Sequence, residues 1–218
     1  MKIVSYEGIM RVATIIVGEI QTNCFAVWDR SKHAIVIDPG AEATRILALL
    51  KKNRLSVAAY LLTHGHMDHI SALADMYDAM PAPIGLHGTD LEWAFDESNQ
   101  MPPFYPAPKR PPEIARVLED GQEWTDGGLT YRAISTPGHT PGSVCFFFPE
   151  QNILFSGDTL FAGSVGRTDL PGGNPRILNA SLAKIARLSD NTVVYPGHGS
   201  ATNMAHEKKT NFFMISRK

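Results

Sequence analysis

Cysteine is nearly absent from the 218-residue chain: only Cys24 and Cys145 occur, each among apolar neighbours in NCFAV and SVCFFF. Two cysteines cannot make the disulfide framework that staples small secreted domains, and their surroundings suit buried hydrophobes better than reactive thiols. Net positive charge is missing too. Twenty lysines and arginines face 22 acidic residues, a formal balance of −2, so there is no basic excess for a phosphate backbone, and nucleic acid is not an expected partner. Nor is there a long hydrophobic run. No stretch approaches the roughly 18 consecutive apolar residues of a membrane-spanning helix. Glu7, Arg11 and Glu19 interrupt the N-terminal segment before it could serve as the apolar region of a signal peptide. These absences lead to the expectation of a cytoplasmic protein with no membrane partner. With 44% hydrophobic and 19% charged residues, the whole chain, 1–218, is expected to form one globular domain around its own core.

What is present is a succession of short strands. VATIIVG (12–18), NCFAVWD (23–29) and HAIVIDPG (33–40) are rich in β-branched residues and separated by turn-forming or polar positions, which predicts an N-terminal meander. AEATRILALLKKN follows as a helix: Ile46, Leu49 and Leu50 form an apolar stripe, and Lys51 and Lys52 fall at the negative end of the helix dipole. VAAYLLT (57–63) reads as a buried strand, and HISALADMYDAM ends as a helix before Pro81. The second half has the same texture, with ARVLED, LTYRAIST, SVCFFFP and NILFSGD as strands, PRILNASLAKIARL as a helix and NTVVYPGHG as a strand running into a loop. No repeat is visible residue by residue. Between the halves, residues 98–112 hold six prolines and cannot be a regular element. Phe104 and Tyr105 make this long loop a candidate lid over a pocket.

THGHMDH (63–69) packs three histidines and an aspartate into seven positions between a strand and a helix, which is where α/β folds collect ligands. His64 and His66 are two apart, so in extended or loop backbone both rings point to the same side and can bind one ion. Asp68 and His69 begin the next helical turn beside them. Three further loops directly after apolar strands carry the same chemistry: His139 in TPGHTPGS, Asp158 in SGDT and His198 in YPGHGS. Glycine neighbours permit bends there that a regular element would not. Five imidazoles and two carboxylates exceed the four ligands of one tetrahedral ion, which argues for two divalent ions with a carboxylate between them. Zinc is the expected metal; the same residue types suit iron or manganese. His33, His87 and His206 stand alone and are expected to be surface or hydrogen-bonded residues.

The order H-x-H-x-D-H, H, D, H, together with TNCFAV, IDPG, TPGHTPGS, SGDTLF and YPGHG, resembles the metallo-β-lactamase superfamily along essentially the whole chain. The resemblance implies an α/β fold, the αβ/βα sandwich of two mixed β-sheets with outer helices, and a metal site along one edge. By motif position it implies His64, His66 and His139 on a first metal, Asp68, His69 and His198 on a second, and Asp158 bridging them. Asp158 is similar to the aspartate of the hydrolytic branches. Zinc β-lactamases proper commonly carry a cysteine there and lack the second-site histidine, so antibiotic hydrolysis is not expected. SGDTLFAGSVGRTDLPGGN and HEKKTNFF are most similar to short glyoxalase II-like hydrolases, which act on hydroxyacylglutathione thioesters. Twenty residues follow His198, room for one helix and not for the helical domain of the full-length enzymes.

That branch implies two divalent ions as cofactors and a small-molecule thioester, a glutathione conjugate, as partner. Arg167 in VGRTD takes the position of a cationic glutathione contact, and Lys208 and Lys209 are the nearest substitutes for the missing domain. In the implied mechanism a hydroxide held between the metals and oriented by Asp68 attacks the thioester carbonyl. No side-chain nucleophile is required: Ser71 and Ser143 lie outside any G-x-S-x-G context and read as capping or strand-edge residues. The alternative within the superfamily is a persulfide dioxygenase with a single iron, in which GRTD also occurs. There His64, His139 and Asp158 would form the two-histidine, one-carboxylate triad. The 39 residues between Asp158 and His198 leave little room for the extra arm of an RNA-processing nuclease.

Overall fold

The computed structural model describes residues 2–6 and 10–215; Glu7, one of the charges noted above, lies outside them. An antiparallel meander opens the chain, with β1 (Lys2–Tyr6), β2 (Met10–Val17), β3 (Thr22–Trp28) and β4 (His33–Ile37). Helix α1 (Ala43–Asn53) leads into β5 (Ser56–Leu61), which pairs parallel to β4. Past α2 (Met67–Ile70) and α3 (Leu73–Ala79) comes β6 (Ile84–His87), and past α4 (Gly88–Leu91) comes β7 (Arg116–Leu118), both added in parallel. These seven strands form one sheet in sequence order.

The second sheet starts with the meander β8 (Glu123–Asp126), β9 (Leu129–Ser135), β10 (Val144–Phe148) and β11 (Ile153–Gly157). A two-stranded hairpin, β12 (Leu160–Phe161) and β13 (Ser164–Val165), and helix α5 (Pro175–Ile185) follow. Then β14 (Val193–Pro196) joins β11 in parallel, β15 (Thr202–Asn203) closes that edge, and α6 (Met204–Thr210) and α7 (Phe212–Ile215) end the described chain. Both sheets are mixed, as the resemblance implies.

Strand alternation explains the layering. In β3 every residue is buried, because successive side chains face opposite sides of the sheet and both sides are covered. Cys24, Ala26 and Trp28 pack outward with Ile46, Leu50, Leu73 and Met76 of the first helices, whereas Phe25 and Val27 pack inward against Tyr131, Phe146 and Phe155 of the second sheet. On the far side, Cys145, Phe147 and Leu154 meet Leu178, Leu182 and Ile185 of α5. The layers are therefore helix, sheet, sheet, helix. Both cysteines are buried and free, as expected from their neighbours.

The expected helix over HISALADMYDAM is two helices. The amide of Ala72 donates to the carbonyl of Pro39 (3.0 Å), outside the helix, and Ser71 turns its hydroxyl back to the Met67 carbonyl (2.6 Å), so the ladder breaks between α2 and α3. The proline-rich segment is irregular, as expected, but it is pinned. Asn99 is buried and donates to the carbonyls of Gly65 (2.7 Å) and Ala94 (2.6 Å), while Tyr105 is buried against the β2–β3 turn. Phe104 remains 57% exposed. The segment walls the rim of the site on that flank.

Strand direction places the chemistry. Strands β4 and β5 run parallel, and β9, β11 and β14 share one direction through their pairings, so the loops leaving all five emerge at one edge of the sandwich. There the amide of Val144 bonds the carbonyl of Thr63 (2.7 Å) and joins the two sheets.

Candidate metal centre

Four of those loops deliver the residues singled out in the sequence. Three tight groups result, each with ligand atoms within 4.8 Å of one another: His64, His66 and His139; Asp68, His69 and His198; and His64, His69 and Asp158. The first two are the sets implied for two metals. Asp158 stands between them, 3.6 Å from Nε2 of His139 and 3.5 Å from Nε2 of both His69 and His198.

The ring orientations follow from partners behind the histidines. Nδ1 of His139 lies 2.8 Å from the carbonyl of Arg167, and a carbonyl only accepts, so the proton sits on Nδ1 and the Nε2 lone pair faces the centre. His69 is fixed likewise by the Asp38 carboxylate, 3.0 Å from its Nδ1. Thr63 donates its hydroxyl to Asp38 (2.7 Å) and so can accept from Nδ1 of His64 (3.1 Å). On the second side, Thr22 donates to Asp68 Oδ2 (2.8 Å), and Asn23 holds the His198 loop through the carbonyls of Pro196 and Gly199 (both 2.9 Å). Backbone approach is close here: a Cβ on Gly197 would lie 2.2 Å from Asp158 Oδ1.

Sequence reasoning passed over three of these supports. Asp38 lies within the IDPG stretch but was assigned no task. Asp90, fully buried, accepts from the amides of Gly65 (2.9 Å) and Gly142 (2.7 Å) and the hydroxyl of Thr140 (2.7 Å), strapping the His64 and His139 loops together. Asn99 braces the first loop from the proline-rich segment. His33, His87 and His206 stay outside the cluster, the first two engaged with Ser56 and with the amide of Thr89. Ser71 and Ser143 serve local backbone turns, Ser143 accepting from the Thr140 amide.

The donor set fits cations. Among the described residues, Nε2 of His64 and Oδ1 of Asp158 have no hydrogen-bond partner though both are buried, a costly state for ligand-type atoms unless something binds them. Three buried or nearly buried carboxylates, Asp38, Asp68 and Asp158, converge on imidazoles with no lysine or arginine paired to them among the described residues. Burial disfavours a charge on His69, yet Asp68, Asp158 and Asp38 push it up to about 10. Burial and the neighbouring His139 hold His66 down to about 3, and burial with His69 and His139 holds His64 well below its usual value. His64 and His66 thus present neutral imidazoles, and around the second group Asp68, Asp38 and Asp158 gather three carboxylates against two imidazoles, a charge that a metal ion can balance.

The proposed substrate contacts divide. Arg167 reaches the site through its backbone carbonyl, while its exposed guanidinium pairs with Asp169 (2.7 Å). Lys208 is not brought to the site. Its ammonium bonds Asp190 (2.7 Å) and the carbonyl of Leu188 (2.8 Å), in the segment entering β14, whereas His198 follows the exit of that strand. Lys209 is exposed on the same helix.

Residues 17–198 match the family model of the metallo-beta-lactamase superfamily. The chain belongs to this superfamily. Within it, the chain is 33% identical over 220 residues to the hydroxyacylglutathione hydrolase GloC of Haemophilus influenzae, a match covering 95% of this chain and 100% of that protein. Among solved structures, the B3 metallo-beta-lactamase BLEG-1 superposes with a TM-score of 0.88 at 36% identity, over 93% of this chain and 99% of that one. A di-iron-bound form of TTHA1623 gives 0.81 at 38% identity over 92% and 99%. ETHE1 from Myxococcus xanthus gives 0.78 at 26% identity over 95% and 85%. The superfamily fold and its metallohydrolase character are thereby shown. Among the described residues, no helix is long and apolar enough to cross a membrane.

Proposed function

We propose that the chain is a dinuclear metallohydrolase of thioesters, with a hydroxyacylglutathione as the substrate that fits best. The observation that carries this reading is the convergence of two complete three-residue groups on Asp158, whose Oδ1 is buried with no hydrogen-bond partner among the described residues; the full-length similarity to GloC supports the substrate class. His64, His66 and His139 would hold one ion, Asp68, His69 and His198 the other, and Asp158 both. When bound, such a pair supplies a hydroxide at neutral pH, by lowering the pKa of water from 15.7 to roughly 7, and a Lewis acid for the carbonyl. Zinc is the proposed metal, and the di-iron relative makes iron the comparison to run.

The chain's own residues do the positioning. Despite the desolvation that raises it, His69 and His198 keep Asp68 well below the usual carboxylate range, so it stays ionised and able to orient a water or hydroxide proton. Thr22 fixes which oxygen does so. Arg167 is the proposed contact for a glutathione carboxylate, which must compete with Asp169 for the guanidinium; Lys209 is the second cation available. Lys208, held at the entry of β14, is withdrawn from that role.

The second reading is an iron persulfide dioxygenase, which the similarity to ETHE1 favours. Protein purified anaerobically and metal-analysed is assayed for lactoylglutathione hydrolysis, for oxygen uptake with glutathione persulfide and for turnover of a chromogenic cephalosporin, the last because of the likeness to BLEG-1. We expect close to two ions per chain, thioester hydrolysis, and its loss in His64→Ala, His139→Ala, Asp68→Ala and Asp158→Ala. Oxygen uptake by the parent that Asp68→Ala largely retains would transfer the assignment to the dioxygenase. Cephalosporin turnover without thioester hydrolysis would transfer it to the β-lactamases.

A further inference from the structure

Beside His66 the surface opens into a cleft of about 390 Å³. Met67, Trp93, Pro141, Leu170 and Pro171 line it, and among the described residues the His66 ring is the one ionisable side chain in it. Five separate segments line it, Ser98, Asn99 and Gln100 forming the polar one, and the principal walls are tied down. The Trp93 ring lies 5.5 Å from the His66 ring, centroid to centroid, and a Cβ on Gly65 would sit 3.2 Å from it, so this wall packs directly on the histidine loop. Asn99 anchors the adjoining rim, and the amides of Gly173 and Asn174 bond the carbonyls of Leu170 (2.9 Å) and Gly138 (2.8 Å), fixing the wall that faces Trp93. The cleft is preformed and opens directly onto one of the proposed ligands of the first metal.

A different surface lies between the β2–β3 turn and the start of α3, and none of the seven proposed ligands lines it. There a wider depression of about 600 Å³ is lined by three carboxylates, Glu19, Glu42 and Asp75. A thioester has two arms that part at the reacting carbonyl. In a glutathione thioester the thiol arm carries two carboxylates and an ammonium, which cannot leave water for an apolar cleft without a large desolvation cost. The acid-lined depression repels the same carboxylates. The arm suited to the cleft is the acyl group, and an apolar wall that includes an indole rewards an acyl group with area to bury.

We propose that the cleft beside His66 is the acyl subsite and that it selects a bulky, apolar acyl group, a phenyl-bearing 2-hydroxyacyl in preference to lactoyl. This inference rests on the thioester reading above. Metal-loaded protein is assayed with mandeloylglutathione and lactoylglutathione, each rate normalised to alkaline hydrolysis of the same thioester. The parent should favour mandeloyl by about tenfold or more in kcat/KM, the range that differences in apolar pocket filling supply. Trp93→Ala should bring that ratio close to one, and Trp93→Phe should largely keep it. A ratio near one in the parent, or an unchanged ratio in Trp93→Ala, overturns the acyl subsite while leaving the hydrolase standing. If neither thioester is cleaved, the thioester reading has failed, and the cleft is tested without turnover by titrating phenylacetate against tryptophan emission, with acetate as control. A saturable change with phenylacetate alone supports an aromatic-selective cleft at His66; no change, or equal change with both, overturns it.

Discussion

Asp38 takes three hydrogen bonds, from the amide and hydroxyl of Thr63 and from Nδ1 of His69, and its backbone sits in the left-handed region at φ 51°, which aspartate and asparagine tolerate better than most residues. It thereby sets the tautomer of His69, a proposed ligand of the second metal, and, through Thr63, the ring of His64. Partners of this kind are typically worth 10–100-fold in metal affinity. Asp38→Asn keeps the backbone preference and removes the charge, so we expect about a tenfold or larger loss of affinity at the second metal position with a smaller loss at the first, read by competition with a chromogenic chelator. Unchanged affinity at both positions would mean that Asp38 only shapes the loop. At this scale the sequence is generous with ligands and silent about supports. The seven proposed ligands stand out because four crowd into THGHMDH and the others follow apolar strands beside glycines. Asp90 in GTDLEW has no such mark, since its partners Gly65, Thr140 and Gly142 lie 25, 50 and 52 positions away and only the folded chain brings them to it.

Between elements, the turn after β7 is tied to α5 by Asp120, which accepts from Nζ of Lys184 (2.5 Å) and from the amide of Ser135 (2.9 Å). Desolvation raises its carboxyl, but Lys184 and Ser135 outweigh that and hold it below its ordinary 3.8. A carboxyl lowered in the folded state stabilises fully above the unfolded value and loses that contribution as pH falls through the lower, folded one. The side chain is 55% exposed, so solvent screening limits the effect to under about 1 kcal/mol. Asp120→Asn should lower the urea midpoint at neutral pH, and the gap from the parent should shrink as pH drops below the unfolded value of about 4 and through the lower, folded one; a constant gap would point to packing instead. Elements were legible where they were long and strongly patterned: β2 to β5, α1, β9 to β11 and α5 all fall where apolar runs or stripes put them. Of the short pieces, β7 and β14 were legible in ARVLED and NTVVYPGHG, whereas β6 and β8 were not. Strand β6 has four residues with a glycine among them, and β8 reads EWTD, nearly all polar; each exists because a neighbouring strand offers its hydrogen bonds.

Across the whole molecule, the sandwich is clamped at both edges. At the site edge the proposed ligands come from both sheets, His64, His66, Asp68 and His69 from loops of the first, His139, Asp158 and His198 from loops of the second, so bound metal ties one sheet to the other. At the opposite edge Arg116, entering β7, meets Asp126, leaving β8, through two hydrogen bonds of 2.5 and 2.9 Å, and Tyr131 donates to the same carboxylate (2.8 Å). Nothing in ARVLED or WTDGG signals this second clamp, whereas the strand texture of the two halves and the motif order made the overall sandwich readable. The pair is mostly buried, 15% and 9% exposed, and removing one partner strands the other's charge, at a cost of about 3 kcal/mol or more. For a chain of this size that is roughly 6–12 °C in Tm. Chelation should lower Tm separately, because metal stabilises only the state that binds it. Since the clamps lie at opposite edges with no shared partner, the two losses should add to within about 0.5 kcal/mol, and Arg116→Ala should keep the parent's metal content below its transition. Calorimetry of parent and variant, each with and without metal, reads both outcomes. A variant that loses metal, or that is no longer sensitive to chelation, would show that the far clamp holds the ligand edge in register and that the two edges are not independent.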